Sequence, residues 1–287
     1  MTKQSAISTE GIKGVAAGVP FIAYSPNGDH GHTAPIVVAW HLLDPPRTEA
    51  AFAAALPLHG LDAWRIYLGL PLSGSRMPAG GDAELMRLGY EDAVLNLQGP
   101  ISDQAAAEFE PALAELRDRF NLGDGPLAVM GGSIGAAVAS LALTESSVDI
   151  AAAVLVSPVV RLQSTVQAME LRFGVTYPWS DRSREVARRL DFVARAGEIA
   201  DTQHEPAVLL VVGEDDDVAG FREPAIELRD ALAKRYADPE RAELVLIPGM
   251  GHALAEEPGI EPAPQTAYAA EADRNAVRWL RRHLIAA

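Results

Sequence analysis

The sequence predicts an α/β fold: a mostly parallel central sheet with helices on both faces, an N-terminal antiparallel hairpin and a small helical cap insertion. Three observations carry this expectation. Short apolar runs alternate with amphipathic segments, the pattern of parallel strands covered by helices on two sides. The alternation breaks only over 161–200, which is rich in Arg and aromatics, helical in spacing and too long for a simple connection. No internal repeat or linker cuts the chain, so 1–287 reads as one domain with 161–200 inserted as a cap.

The elements follow in order. VPFIAYS reads as a strand, and the turn cluster PNGDHGH after it holds Asn27-Gly28, a hairpin signal. PIVVAWH, ending at His41, is a continuous apolar run suited to a strand buried on both faces. TEAAFAAAL reads as a short helix, RIYLGLP as a strand and SGSRMPAGGD as a loop. From Ser102 to Phe120 the spacing is helical, with Ser102 and Asp103 placed to cap and Phe109, Leu113, Leu116 and Phe120 on one face. LAVMG, IAAAVLVSP, PAVLLVVG and AELVLIPG then read as strands. IGAAVASLAL, EPAIELRDALAKRY and AYAAEADRNAVRWLRRHL read as helices.

Composition narrows the function. The chain has 287 residues, 48% of them hydrophobic, enough for a sizeable core. A net charge of −15 repels nucleic acids and anionic lipid surfaces. No cysteine is present, which excludes disulfides, thiolate nucleophiles and Cys-ligated metals. The polar start MTKQSAISTEGIKG lacks the apolar core of a signal peptide, and no window of 18 apolar residues spans a membrane. A soluble cytoplasmic protein is expected, with neither nucleic acid nor membrane as partner; homo-oligomerisation stays open.

The chemistry centres on GGSIG, where an apolar strand turns into an Ala-rich helix. Ser133 sits there between Gly131 and Gly135. A tight strand-to-helix turn strains the serine backbone, and the close crossing of strand and helix leaves no room for bulk at the flanking positions. It exposes the hydroxyl at a helix N-terminus, where free N–H groups can stabilise an oxyanion. A serine hydroxyl is a poor nucleophile near neutral pH, so this reading requires an acid and a histidine later in the chain. Both follow strands: Glu214-Asp215-Asp216-Asp217 after PAVLLVVG, and His252 after AELVLIPG.

With GGSIG, VVGEDDDV and PGMGHA in this order, the chain resembles the α/β-hydrolase superfamily from about Gly18 to the last helix. The resemblance implies Ser133 as nucleophile, His252 as general base and then general acid, and Asp216 as the orienting acid, with Asp215 and Asp217 as fallbacks. It implies an oxyanion hole from the N–H groups of Ile134 and of a residue after PIVVAWH. That loop reads His41-Leu42-Leu43-Asp44-Pro45-Pro46 and lacks the glycine that often follows the histidine. Leu43 is the expected second donor, with Leu42 beside it.

Simpler explanations stand beside each of these. Ser133 could cap its helix, and GGSIGA resembles a dinucleotide fingerprint with Asp149 as a weak acidic partner. The acids at 214–217 could be a solvated turn or a metal site, and His252 a packing residue. His30 and His32 have metal-binding spacing inside a cluster that reads as a polar turn. Met169, Phe173, Tyr177 and Trp179 could line an acyl pocket or form the cap's own core, and Arg182, Arg184, Arg188 and Arg189 could attract an anion or simply face solvent.

The expected function is a carboxylesterase-type serine hydrolase acting on a small or medium ester. It needs no cofactor and no metal, and His41, Met169, Phe173 and Trp179 are its expected substrate contacts. Thioester or peptide cleavage uses the same residues. A prolyl-oligopeptidase-type peptidase ordinarily carries a large extra domain that this sequence does not show, and a dehalogenase generally has aspartate in place of the serine. A non-catalytic small-molecule-binding protein of the same fold is the competing class, motivated by the unusual His-Leu-Leu loop.

Overall fold

The structure, a computed structural model, describes residues 11–27, 33–202 and 204–285. Among these, eight strands form one sheet. They are β1 (Ile12–Ala16), β2 (Val19–Tyr24), β3 (Ile36–Trp40), β4 (Trp64–Leu68), β5 (Leu127–Gly132), β6 (Ala152–Val156), β7 (Ala207–Gly213) and β8 (Ala242–Ile247). Their order across the sheet is β1-β2-β4-β3-β5-β6-β7-β8. β2 is antiparallel to both β1 and β4, and the remaining neighbours are parallel.

Period-two alternation along the central strands feeds two cores. Val38, Trp40, Val129, Leu155 and Leu210 face one side. There they meet α3 (Gly99–Phe120), α4 (Ile134–Glu145) and α8 (Glu223–Ala233). Val37, Ala39, Met130, Val154 and Val211 face the other. They pack on α1 (Glu49–Ala55) and α9 (Ala267–Leu280), with Phe52 and Trp279 fully buried. Each such large side chain is worth roughly 1.5–3 kcal/mol of burial. α4 is buried from Ile134 to Leu143, as a helix apolar on all sides must be.

The antiparallel edge is the hairpin β1–β2, which turns at Ala17 and Gly18, both with positive φ. Asn27-Gly28 does not mark a hairpin. β2 and β3 are not neighbours, because β4 lies between them. Of the cluster 26–32, residues 28–32, including His30 and His32, lie outside the described residues.

Helix α3 starts at Gly99 rather than at Ser102. Ser102 lies inside it, and its hydroxyl donates to Gln98 O at 2.8 Å, so it does not cap. A helix unanticipated from the sequence, α2 (Gly81–Asp92), precedes it. No residue of α2 is buried, and a helix without a buried face carries no apolar periodicity to read.

Three helices, α5 (Leu162–Phe173), α6 (Asp181–Arg189) and α7 (Ala196–Ala200), stand between β6 and β7. Their stem is closed by backbone bonds. Leu162 N–H donates to Leu190 O, and Phe192 N–H to Val160 O. No described helix is long and apolar enough to cross a membrane.

The register aligns the carboxyl ends of the central strands. Trp40 lies opposite Gly131, Gly132 opposite Val156, Val156 opposite Val211 and Gly213 opposite Ile247. Residues following these strands therefore share one edge, where ligands of parallel sheets gather. At that edge α4 runs against the end of β3. A Cβ on Gly135 would lie 2.4 Å from Trp40 O and 2.5 Å from His41 O. Gly135→Ala is expected to cost about 1–3 kcal/mol in urea denaturation through this overpacking. Gly251→Ala, whose Cβ would meet no atom within 4 Å, is expected to change stability by less than about 0.5 kcal/mol.

Candidate active site

Ser133 occupies the turn between β5 and α4 with φ 49° and ψ −116°, a conformation costly for any residue with a side chain. Backbone bonds hold it. Ser133 N–H donates to Val156 O at 3.0 Å, and Ser133 O accepts from Val159 at 3.2 Å and Ala136 at 3.0 Å. Gly131 must be small because a Cβ there would lie 2.1 Å from Gly135 O.

The ends of β7 and β8 are joined in the same manner. Asp215 N–H donates to Met250 O at 2.9 Å, and a Cβ on Gly213 would collide with that oxygen. This brings Asp216 and His252 together. His252 Nδ1 lies 2.9 Å from Asp216 Oδ2, and His252 Nε2 lies 2.9 Å from Ser133 Oγ. Of the four acids in the run, Asp216 alone is buried; Glu214, Asp215 and Asp217 are exposed. Asp216 Oδ1 accepts the Asp217 N–H, which fixes the carboxylate. Asp217 accepts from Gly220 N–H instead and caps the turn at 218–222. Among the described residues no three His, Cys, Asp or Glu side chains converge as a metal site requires.

The His252 pKa lies above its ordinary 6.5. Burial acts to lower it, but the hydrogen bond and charge of Asp216, helped by Asp44, outweigh burial. Arg172, at the end of α5, opposes them. Asp44 Oδ2 lies 3.7 Å from His252 Nε2, and the Phe221 ring lies 4.2 Å from the imidazole. Sequence reasoning assigned no role to Asp44, Phe221 or Arg172. Asp44 carried the one usable signal, a charge next to the expected oxyanion donor.

The loop after β3 is braced from both sides. Leu42 is fully buried, and its side chain fills the space beside Gly132. Pro45 O accepts from Leu254 and Ala255, Arg47 N–H donates to Gly259 O, and Thr48 Oγ1 donates to Ile260 O. The segment after His252 thus anchors this loop. Among the described residues neither Leu43 N–H nor Ile134 N–H meets an acceptor.

His41 is fully buried at the root of the loop. Its Nε2 accepts from Leu70 N–H at 3.1 Å, so the proton sits on Nδ1 and is donated to Leu42 O at 2.7 Å. Both ring nitrogens are occupied by backbone, which leaves none for a substrate. Burial lowers its pKa to about 4.

Met169 and Phe173 are exposed on α5, which packs against the turn at 218–222. Half-buried Trp179 packs edge-on against Tyr177 at 4.8 Å. Among the described residues no hydrogen bond or ring contact links Met169, Phe173 or Trp179 to Ser133 or His252.

The sequence profile of the prolyl oligopeptidase family matches residues 97–284, from α3 through Ser133, Asp216 and His252. The chain belongs to the prolyl oligopeptidase family. It is thereby a serine hydrolase of the α/β-hydrolase fold. A large extra domain is not required for this match, because residues 97–284 alone establish membership. No curated protein matches the chain.

Solved structures share the fold. TT1662 from Thermus thermophilus is 18% identical, with TM-score 0.63 over 97% of this chain and 99% of that one. A puromycin-hydrolysing peptidase from Mycobacterium tuberculosis is 18% identical, with TM-score 0.64 over 99% of this chain and 41% of the peptidase. A Pyrococcus furiosus esterase is 14% identical, with TM-score 0.55 over 96% and 91%.

Two titrations test the site. Asp216→Asn should lower the His252 pKa, followed by NMR of the ring protons, whereas Asp215→Asn should leave it within a few tenths of a unit. His41 binds its proton in the unfolded chain near pH 6.5 and in the folded chain only near 4. Stability contributed by neutral His41 is therefore complete above pH 6.5 and falls with pH toward 4, by about 3 kcal/mol in all. Urea denaturation at pH 7 and pH 4.5 should show this loss, and His41→Gln should shrink it.

Proposed function

We propose that this family member hydrolyses acyl bonds through a Ser133–His252–Asp216 triad and an acyl-enzyme intermediate. The observation that carries the reading is the pair of 2.9 Å contacts on opposite nitrogens of one imidazole. Ser133 Oγ attacks the carbonyl carbon while His252 Nε2 takes its proton. Asp216 accepts from Nδ1, keeps the ring in the productive tautomer and stabilises the imidazolium. The oxyanion rests on the N–H groups of Ile134 and Leu43, which meet no competing acceptor among the described residues. Each such donor is worth on the order of 10²–10³ in rate. His252 then gives its proton to the leaving group; a water, deprotonated by the same nitrogen, attacks the acyl carbon; and the C–Oγ bond breaks as His252 returns the proton to Ser133 Oγ and the acid departs. No cofactor or metal enters this scheme.

The residues 161–200 are read as a cap inserted into one domain spanning 1–287. Its modest size suits a small or medium acyl ester, and Met169, Phe173 and Trp179 are proposed as substrate contacts on it. His41 is proposed to act on substrate only through the loop it holds. The family match favours a second reading, cleavage of an amide or peptide bond by the same residues.

A fluorophosphonate probe should label Ser133, located by mass spectrometry, and Ser133→Ala should abolish labelling. Turnover of short-chain p-nitrophenyl esters should fall by roughly 10⁴-fold or more in that variant. Amino-acid p-nitroanilides run in parallel separate the ester reading from the amide reading. A folded protein that neither labels nor turns over any of them would sink the triad proposal and leave a binding protein.

A further inference from the structure

We infer that Asp44 is a specificity-determining residue, a carboxylate that selects substrates carrying an ammonium group close to the scissile carbonyl. The inference rests on the triad reading above and adds a substrate class to it.

Position is the first argument. Asp44 follows Leu43, the proposed oxyanion donor, and its Oδ2 lies 3.7 Å from His252 Nε2. That is the nitrogen facing Ser133 Oγ. The carboxylate therefore stands within a few ångströms of the atoms that react.

Its lack of partners is the second. Among the described residues the Asp44 carboxylate accepts no hydrogen bond and pairs with no Arg or Lys; its ionic neighbour is His252. The side chain is 57% exposed. Nearby Arg47 is committed to Glu257. Arg172 reaches His252 by its charge but forms no ion pair with Asp44.

Rigidity is the third. Asp44 is fixed to Pro45, whose carbonyl accepts two N–H groups and whose ring packs against Gly259. The backbone that carries the charge is thus held, which confines the carboxylate to the reach of one short side chain.

The energetics then choose the ligand. A carboxylate beside the oxyanion hole repels the negative charge that develops on the carbonyl oxygen, and a neutral ester offers nothing to offset this. An ammonium within reach of Asp44 cancels the repulsion, and one that carries N–H groups also gains a charge-assisted hydrogen bond. In an aminoacyl group the α-nitrogen lies about 2.5 Å from the carbonyl carbon. That carbon is bonded to Ser133 Oγ during reaction, so an ammonium turned toward His252 Nε2 comes within reach of Asp44. A cation on the leaving group, which takes its proton from His252 Nε2, could occupy the same shell. The net charge of −15 draws cations of either kind.

The test uses paired substrates at about pH 6.5, where an α-amine is protonated. Alanine p-nitrophenyl ester and its N-acetyl analogue report a cation on the acyl side. Acetylcholine and neutral 3,3-dimethylbutyl acetate report one on the leaving side. Wild type should prefer the cationic member of at least one pair by about tenfold in kcat/KM. Asp44→Asn should erase that preference and Asp44→Glu should keep part of it. The pair that responds identifies which side carries the cation. Asp44→Asn should also shift the kcat/KM profile of the neutral esters to lower pH, because Asp216 alone then supports the imidazolium against Arg172. Equal rates within both pairs in wild type, or a preference that survives Asp44→Asn, would overturn the inference. Labelling of Ser133 by the fluorophosphonate in the same preparations keeps such a result apart from failure of the triad reading.

Discussion

The alignment of strand ends at one edge of the sheet is the constraint on which the site depends. Ser133 holds a backbone conformation that costs on the order of 1–3 kcal/mol, and it does so because its N–H and C=O are tied to the end of β6 and the residues beyond it. The parallel ladder between β5 and β6 therefore stabilises the strained turn. The β7–β8 ladder does the same for Asp216 and His252 through the bond from Asp215 to Met250. A slip of one residue in either pairing would turn every side chain of the slipped strand to the opposite face and separate the three groups. Small residues complete the arrangement. Gly131, Gly135 and Gly213 sit where a Cβ would strike a backbone oxygen.

Electrostatics around His252 divide between its two nitrogens. Asp216, buried and fixed by the Asp217 N–H, serves Nδ1. Asp44, exposed and without a hydrogen-bond donor among the described residues, lies near Nε2. Both raise the pKa of the ring against burial and Arg172. A carboxylate buried against Nδ1 holds the imidazole in place, whereas one at the open side stays accessible to solvent. His41, equally rich in potential chemistry, does neither. Its two nitrogens close backbone bonds, and its neutrality belongs to the stability of the loop.

Membership of the prolyl oligopeptidase family makes the chain a serine hydrolase. The family match spans residues 97–284, which include Ser133, Asp216 and His252. Distant structural likeness speaks for the scaffold alone.

The sequence by itself determined the strand and helix order, the parallel sheet and the residues at GGSIG, VVGEDDDV and PGMGHA. Strong apolar periodicity and small residues at close crossings are local properties, and they survive in a one-dimensional string. It did not reveal α2, which buries no residue, nor the start of α3, where a polar residue that looks like a cap lies inside the helix. It misread Asn27-Gly28 as a hairpin because turn chemistry does not say which strands will pair, and β4 enters between β2 and β3. Tertiary structure alone decided that His41 is spent on the backbone and that Asp44 and Phe221 reach the imidazole, and it set aside Asp215 and Asp217, which the resemblance had kept as fallbacks to Asp216. These facts depend on distances between segments up to about two hundred residues apart. Only the packed sheet, by fixing the strand ends against one another, sets such distances.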